Sequence, residues 1–144
     1  MKQSAGVAVI WKGKTLVVHP TNASWFRTYT SPKGGIESGE KPIDAAIRET
    51  FEEIGIRVNA SDLKEEPIEI FYKDKKGKTY KKVILFPLII VKLSDIGMKT
   101  DCIDRSHLQQ DEVDDARFMT PEEFKDRVLP RYYEPLKELV TKYS

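Results

Sequence analysis

Glu40, Glu49, Glu52 and Glu53 gather around a glycine-containing turn and a short helical stretch in GGIESGEKPIDAAIRETFEEIGI, residues 34–56. Pro42 suits a first helical turn and Gly55 a helix end, so the spacing predicts a helix from Pro42 to Ile54. At about 100° per residue, Ile43, Ala46, Ile47, Thr50, Phe51 and Ile54 form a stripe that wants a core, while Glu49, Glu52 and Glu53 converge on another side. Like charges three or four residues apart repel by a few tenths of a kcal/mol per pair. Arg48 is the only base between Arg48 and Ile54. A divalent cation turns that repulsion into binding. Carboxylate oxygens suit hard ions such as Mg2+ or Mn2+, which bind through a few carboxylates plus substrate phosphates. The competing reading is a solvated acidic helix face behind an ordinary turn.

The elements that must hold this patch are legible along the chain. Ser4–Trp11 and Thr15–His19 are rich in strand formers and flank Lys12-Gly13-Lys14, which reads as a hairpin. His19 before Pro20 is expected as a polar strand terminus. Thr21–Ser31 has no clear period and is expected to be a loop leading into a short strand before Pro32. Its Trp25, Phe26 and Tyr29 either stack on a nucleobase or cover the sheet edge. Ile68–Tyr72 and Lys81–Lys92 flank the lysine-rich tip Lys73–Lys78 as a second hairpin, with a bulge or an edge expected at Pro87. The lysine cluster, which extends through Lys81 and Lys82, reads as a solvated, aggregation-resistant surface or as a phosphate-binding patch. Residues 94–110 read as a long loop, and acidic residues 111–115 precede a short strand from Ala116 to Met119. Thr120-Pro121-Glu122-Glu123 is a capping-box helix start. Pro130 is expected to end that helix, and Tyr132–Tyr143 to form another with Tyr133, Leu136, Leu139 and Val140 inward.

The 144 residues are expected to form a single α/β domain spanning residues 1–144, strands before and after a central helix with two more helices at the end. A formal charge of +1 gives no global case for DNA, other nucleic acids or membranes as partners, so any polyanion site must be local. Cys102 stands alone, which leaves no disulfide framework and makes a cytoplasmic setting the expectation. The N-terminal stretch lacks a signal-peptide pattern. The apolar run from Val83 to Val91 contains Pro87 and is far short of the ~20 residues of a spanning helix.

Gly34, five residues, Glu40, seven residues, Arg48-Glu49, then Glu52-Glu53, Gly55 and Ile56 resembles the signature box of the Nudix hydrolases at every charged and glycine position. Thr50 departs from it, standing where the family usually has a larger aliphatic residue. The resemblance implies an α/β/α sandwich around a mixed sheet and hydrolysis of a pyrophosphate bond in a nucleoside diphosphate derivative, with Mg2+ as cofactor and Mn2+ as a substitute. Carried over from the family, Glu49, Glu52 and Glu53 bind metal, with the backbone carbonyl of Lys33 as a further ligand. Glu112 is an extra ligand or base, Arg48 orients carboxylates with Glu40, and either Glu53 or Glu112 takes the proton from water. Pro32-Lys33-Gly34 looks like the form in members that act on dinucleoside polyphosphates, diphosphoinositols or RNA caps. The expected substrates are dinucleoside polyphosphates or ADP-ribose-like compounds. An RNA 5′ end or a damaged nucleoside triphosphate is the alternative, and oligomeric state stays open.

Overall fold

A computed structural model describes residues 1–143. Its sheet is mixed, in the order β4-β5-β1-β2-β6: β1 Lys2–Trp11, β2 Lys14–Pro20, β4 Ile68–Lys73, β5 Thr79–Ile89 and β6 Val113–Met119. The short β3, Lys33–Gly35, pairs with β1 off this path. Strand β5 runs parallel to β1, and the other pairings are antiparallel.

Side chains alternate across the central strands. Ala5, Val7 and Val9 of β1, with Ile84, Phe86 and Leu88 of β5, pack on one face against Ala45, Ala46 and Ile54 of α1 (Pro42–Ile54). Ala8 and Ile10 of β1, with Val83 and Leu85 of β5, pack on the other. There they meet Phe124 of α2 (Pro121–Phe124) and Tyr132, Leu136 and Leu139 of α3 (Pro130–Lys142). Burial on both faces explains why these strands read as near-continuous apolar runs. The result is an α/β/α sandwich. No helix among the described residues is long and apolar enough to cross a membrane.

Helix α1 has the span predicted from Pro42 and Gly55, and Gly55 caps it at φ 76°. Its faces differ from expectation: Ala45 is fully buried, while Phe51 is exposed with the Arg57 guanidinium over its ring at 4.2 Å. The first hairpin turns through Lys12 and Gly13, both in the left-handed region. The short strand expected before Pro32 falls after it, on Lys33–Gly35; Tyr29 and Thr30 form only isolated bridges.

Pro87 causes no bulge. The β1–β5 register is unbroken from Lys2↔Lys81 to Ile10↔Ile89, and β4 pairing stops at Leu85, so the Pro87 nitrogen meets no partner strand. Its carbonyl accepts from the Lys64 amide at 2.9 Å. Pro130 starts α3 rather than ending α2, consistent with the preference of proline for a first helical turn. Tyr132 is fully buried and joins the half-buried Tyr133 on the core side; the Tyr132 hydroxyl lies 2.7 Å from that of Tyr72. The capping box of Thr120 and Glu123 forms as read. The long loop is pinned by two 3-10 turns, at Leu93–Ile96 and Arg105–His107, and by buried Met98, Ile103 and Leu108.

Gly6 of β1 lies against β3, where an added Cβ would collide with the Pro32 carbonyl and the Lys33 backbone. Gly6→Ala is therefore expected to push β3 outward and cost about 1–3 kcal/mol of stability, as overpacking does. Urea unfolding of the variant checks this, and a loss below 0.5 kcal/mol would show that β3 yields freely.

Candidate functional site

One cleft of about 400 Å³ is lined by Lys2, Ser4, Lys33, Gly34, Gly35, Glu49, Glu52, Glu53, Lys81, Gln109 and Glu112. Five parts of the fold converge there: the starts of β1 and β5, the β3 turn, the outward side of α1, and the loop entering β6. Glu49, Glu52, Glu53, Lys33 and Glu112 are thus brought together. Trp25, Phe26 and Tyr29 are not among the lining residues.

The approach of α1 to β3 depends on Gly34. A Cβ there would fall inside the Glu49 carboxylate. On the far side of that carboxylate stands Arg48. Its Nε donates to Glu40 Oε2 and its Nη2 to Glu40 Oε1, both at 2.9 Å, a two-pronged pair of the strong kind. Its Nη1 donates to Glu49 Oε1 at 2.8 Å and Glu52 Oε2 at 3.2 Å, and its Nη2 also reaches the Gly35 carbonyl at 3.0 Å. One guanidinium thereby ties three carboxylates and the glycine turn together. It also holds the Glu40 carboxyl down to about 2.

Glu53 is the odd member of the patch. It is only 9% exposed, and its Oε1 has no hydrogen-bond partner. Burial pushes its carboxyl up to about 7, with Glu49 and Glu112 adding repulsion and Lys33 opposing the shift. Burial likewise lowers the Lys33 ammonium, against the pull of Glu53.

Glu112 reaches the cleft on a clamped loop. Its carbonyl accepts from the Thr21 amide at 3.0 Å and its amide donates to the Gln109 carbonyl at 2.8 Å. The Gln109 amide donates to the backbone carbonyl of Glu53 at 2.9 Å. The loop is therefore fastened to the helix that carries the other carboxylates.

The donor set suits a hard divalent cation: several carboxylates, and among them a buried carboxylate oxygen without a partner. As the side chains stand, no three acidic, histidine or cysteine groups among the described residues converge on a metal position, since Glu49 and Glu52 turn toward Arg48. Glu52 is half-exposed, and rotation about its side-chain torsions turns it from Arg48 toward the cleft.

His19 is buried and terminates its strand as a structural group. Its Nδ1 lies 2.5 Å from Asp114 Oδ1, its Nε2 2.8 Å from the Ser24 carbonyl, and its ring stacks on Trp25 at 3.7 Å. Tyr29 is buried and donates its hydroxyl to Asp115 at 2.6 Å, so it supports the sheet from inside. Trp25 and Phe26 are exposed; Trp25 keeps one face against His19, and Arg27 covers Phe26 at 4.7 Å. Sequence reasoning missed Lys2 and Gln109, and reached Lys81 only as the end of the lysine cluster. The β1–β5 register, which sets Lys2 beside Lys81, could have pointed to Lys2.

The description "NUDIX domain" belongs to the family model that matches residues 1–141. An RNA pyrophosphohydrolase of Bartonella clarridgeiae is 47% identical over 49 residues, which cover 33% of this chain and 28% of that protein. One from Rhizobium meliloti (strain 1021) is 40% identical over 65 residues, covering 44% and 38%. The matched stretches thus span well under half of these relatives. An Ap4A hydrolase of C. elegans, solved as a binary complex, superposes with a TM-score of 0.66 at 22% identity, over 99% of this chain and 95% of that one. A bifunctional NMN adenylyltransferase/ADP ribose pyrophosphatase of Francisella tularensis, complexed with AMP and a Mn ion, gives 0.73 at 19% identity, over 99% and 42%. At these identities the likeness to the solved structures is one of fold.

The raised Glu53 carboxyl has a stability consequence in the metal-free chain. The folded state holds this proton more tightly than the unfolded state, so the proton-linked stability is complete below about pH 4.5 and is lost as pH rises through about 7. The shift corresponds to roughly 3 kcal/mol. In chelator, Glu53→Gln is expected to gain up to that amount over wild type at pH 8 and almost nothing at pH 4.5. Denaturant unfolding at the two pH values measures it, and equal stabilities at pH 8 would contradict the burial cost.

Proposed function

Because the chain belongs to the NUDIX domain family, we propose that it is a divalent-cation-dependent hydrolase of a pyrophosphate bond in nucleoside diphosphate derivatives. Dinucleoside polyphosphates and ADP-ribose-like compounds are the small-molecule substrates of this reading. The observation that carries it is the convergence of Glu49, Glu52, Glu53 and Glu112 on one cleft, with the Glu53 Oε1 buried and unpaired.

Glu49, Glu52, Glu53 and the Lys33 carbonyl would hold Mg2+, or Mn2+ in its place, with Glu112 as a further ligand. Such a cation supplies charge neutralisation on phosphate oxygens and a lowered pKa for the attacking water. The chain does the rest by position. Arg48 fixes Glu49 relative to the β3 turn, so that carboxylate is ordered before substrate arrives. Glu53, buried at the floor of the carboxylate patch, is one group in the cleft able to take a proton from water. Glu112, exposed and backbone-clamped, is the other group in the cleft able to do so. A lone cysteine and a formal net charge of +1 fit a cytoplasmic enzyme of small nucleotides.

The relatives named RNA pyrophosphohydrolase favour a second reading, in which the pyrophosphate bond belongs to an RNA 5′ end. Both readings use the same carboxylates. They differ in what lies beyond them.

Purified protein with Mg2+ is expected to cleave members of a panel of nucleoside diphosphate derivatives, with products read by chromatography. Excess chelator should abolish turnover, and Ca2+ should fail to restore it because it takes more ligands in a looser geometry. Full turnover in chelator would contradict the reading. Glu53→Gln is expected to lower kcat by roughly 100- to 10,000-fold, and Glu112→Gln by about 10- to 1000-fold. Unchanged turnover in both variants would remove the two carboxylates from the reaction.

A further inference from the structure

The two edges of the sheet are finished differently. On the outer side of β6 the preceding segment adds hydrogen bonds: the Ile103 amide donates to the Ala116 carbonyl and the Phe118 amide to the Asp101 carbonyl, both at 2.9 Å. Past the end of β4, β5 is covered by Leu63 and Lys64, the latter donating its amide to the Pro87 carbonyl at 2.9 Å. Beyond β4 itself nothing follows: among the described residues no strand or bridge pairs with its outer side. An open edge of this kind is a template for another strand.

The direction of the backbone along β4 follows from its neighbour. Because the Pro87 carbonyl points to the β4 side and direction alternates along a strand, Leu85, Val83 and Lys81 point there as well. Their partners Ile68, Ile70 and Tyr72 are therefore bonded inward, and Glu69, Phe71 and Lys73 present their N–H and C=O groups outward. The one irregularity of this ladder passes over Tyr80 of β5, so β4 itself stays regular to Lys73. Side chains alternate too. Ile70 and Tyr72 enter the core beneath α3, while Glu69, Phe71 and Lys73 are exposed together on the opposite face, Phe71 to 44%.

Glu69 and Lys73 stand at equal distances on either side of Phe71, which makes β4 complementary to itself. Two copies paired antiparallel about a two-fold axis at Phe71 set Glu69 of each against Lys73 of the other, Phe71 against Phe71, and Ile70 against Tyr72. Sliding the strands by two residues puts one of the charges against Phe71, and sliding by four sets Glu69 on Glu69 or Lys73 on Lys73. Isolated charges on an edge discourage pairing. Opposite charges at mirrored positions instead select one register. Within the chain Lys82 holds Glu69 Oε2 at 2.8 Å, and the half-exposed carboxylate keeps Oε1 for a second cation. We propose that β4 is the docking edge for a second copy of this chain, the two strands pairing antiparallel about Phe71 so that both sheets become one. The contact is short and half polar, so a weak dimer is expected, with a Kd on the order of 100 µM. It is independent of the pyrophosphohydrolase reading.

Sedimentation velocity of the full chain between about 5 µM and about 1 mM is expected to show a monomer–dimer equilibrium. Hydrogen exchange at the outward Phe71 amide should slow as the dimer fills. Glu69→Lys and Lys73→Glu each set like charges opposite one another and are expected to weaken dimerisation at least about tenfold, with circular dichroism showing the fold intact. Mixed in equal amounts, the two variants should associate again, because both cross-strand pairs of the mixed dimer are of opposite charge. Wild type that stays monomeric throughout would overturn the proposal and leave the edge to an extended segment of a different protein. A dimer insensitive to both substitutions, or a mixture that fails to recover, would overturn it as well.

Discussion

The structure of the cleft depends on one cation placed among carboxylates. Glu40, Glu49 and Glu52 would repel one another in the geometry that α1 and the glycine turn impose. Arg48, itself a quarter exposed, binds all three and the Gly35 carbonyl. Lysine could not replace it, because only a planar fork of donors can grip Glu40 with two prongs and still reach two other carboxylates. The arrangement leaves Glu53 without such a partner. Its charge is carried at a burial cost that Lys33 offsets only in part, which is the condition expected of a group meant to work on a metal or a proton.

The sheet sets the positions around this cation. Strand β1 is the common reference, because β3 and β5 flank its first half and so put Lys33 and Lys81 on either side of Lys2. Two contacts without room for a side chain complete the geometry. Gly6 lets β3 lie against β1, and Gly34 lets the Glu49 carboxylate lie against β3. A third constraint comes from the loop before β6. It is anchored at the backbone carbonyl of Glu53 and at Thr21, so Glu112 and the helix carboxylates share one rigid frame. Positioning here is a property of backbone hydrogen bonds and close packing, which is how a site on loops acquires precision.

Much of this was legible in the residues because it rests on local rules. Pro42 and Gly55 punctuate α1, Lys12-Gly13 turns the first hairpin, and Thr120 with Glu123 caps α2. What escaped depends on tertiary context. Phe51 sits at the margin of the apolar stripe, where a small rotation of the helix buries Ala45 and leaves Phe51 under Arg57. Pro130 is compatible with either the end of one helix or the start of the next, and the start brings Tyr132 into the core beside Tyr133. Of the bulge or edge expected at Pro87, the early end of β4 gives the edge, which leaves the Pro87 nitrogen no partner strand. That Lys81, at the end of the lysine cluster, would meet Lys2 was hidden for the same reason: the two are far apart in sequence and are brought together only by a parallel pairing. The lysine-rich hairpin tip, conspicuous in the sequence, stands outside the cleft.

The central claim is that the glutamates on α1 form a divalent-cation site whose key oxygen is the buried one of Glu53. Titration of the protein with Mn2+, following free ion by electron paramagnetic resonance, tests it without reference to any substrate. The account predicts saturable binding by wild type, weakened by roughly 10- to 100-fold in a folded Glu49→Gln, Glu53→Gln double variant. Non-saturable binding by wild type, or equal affinity in the double variant, would contradict it.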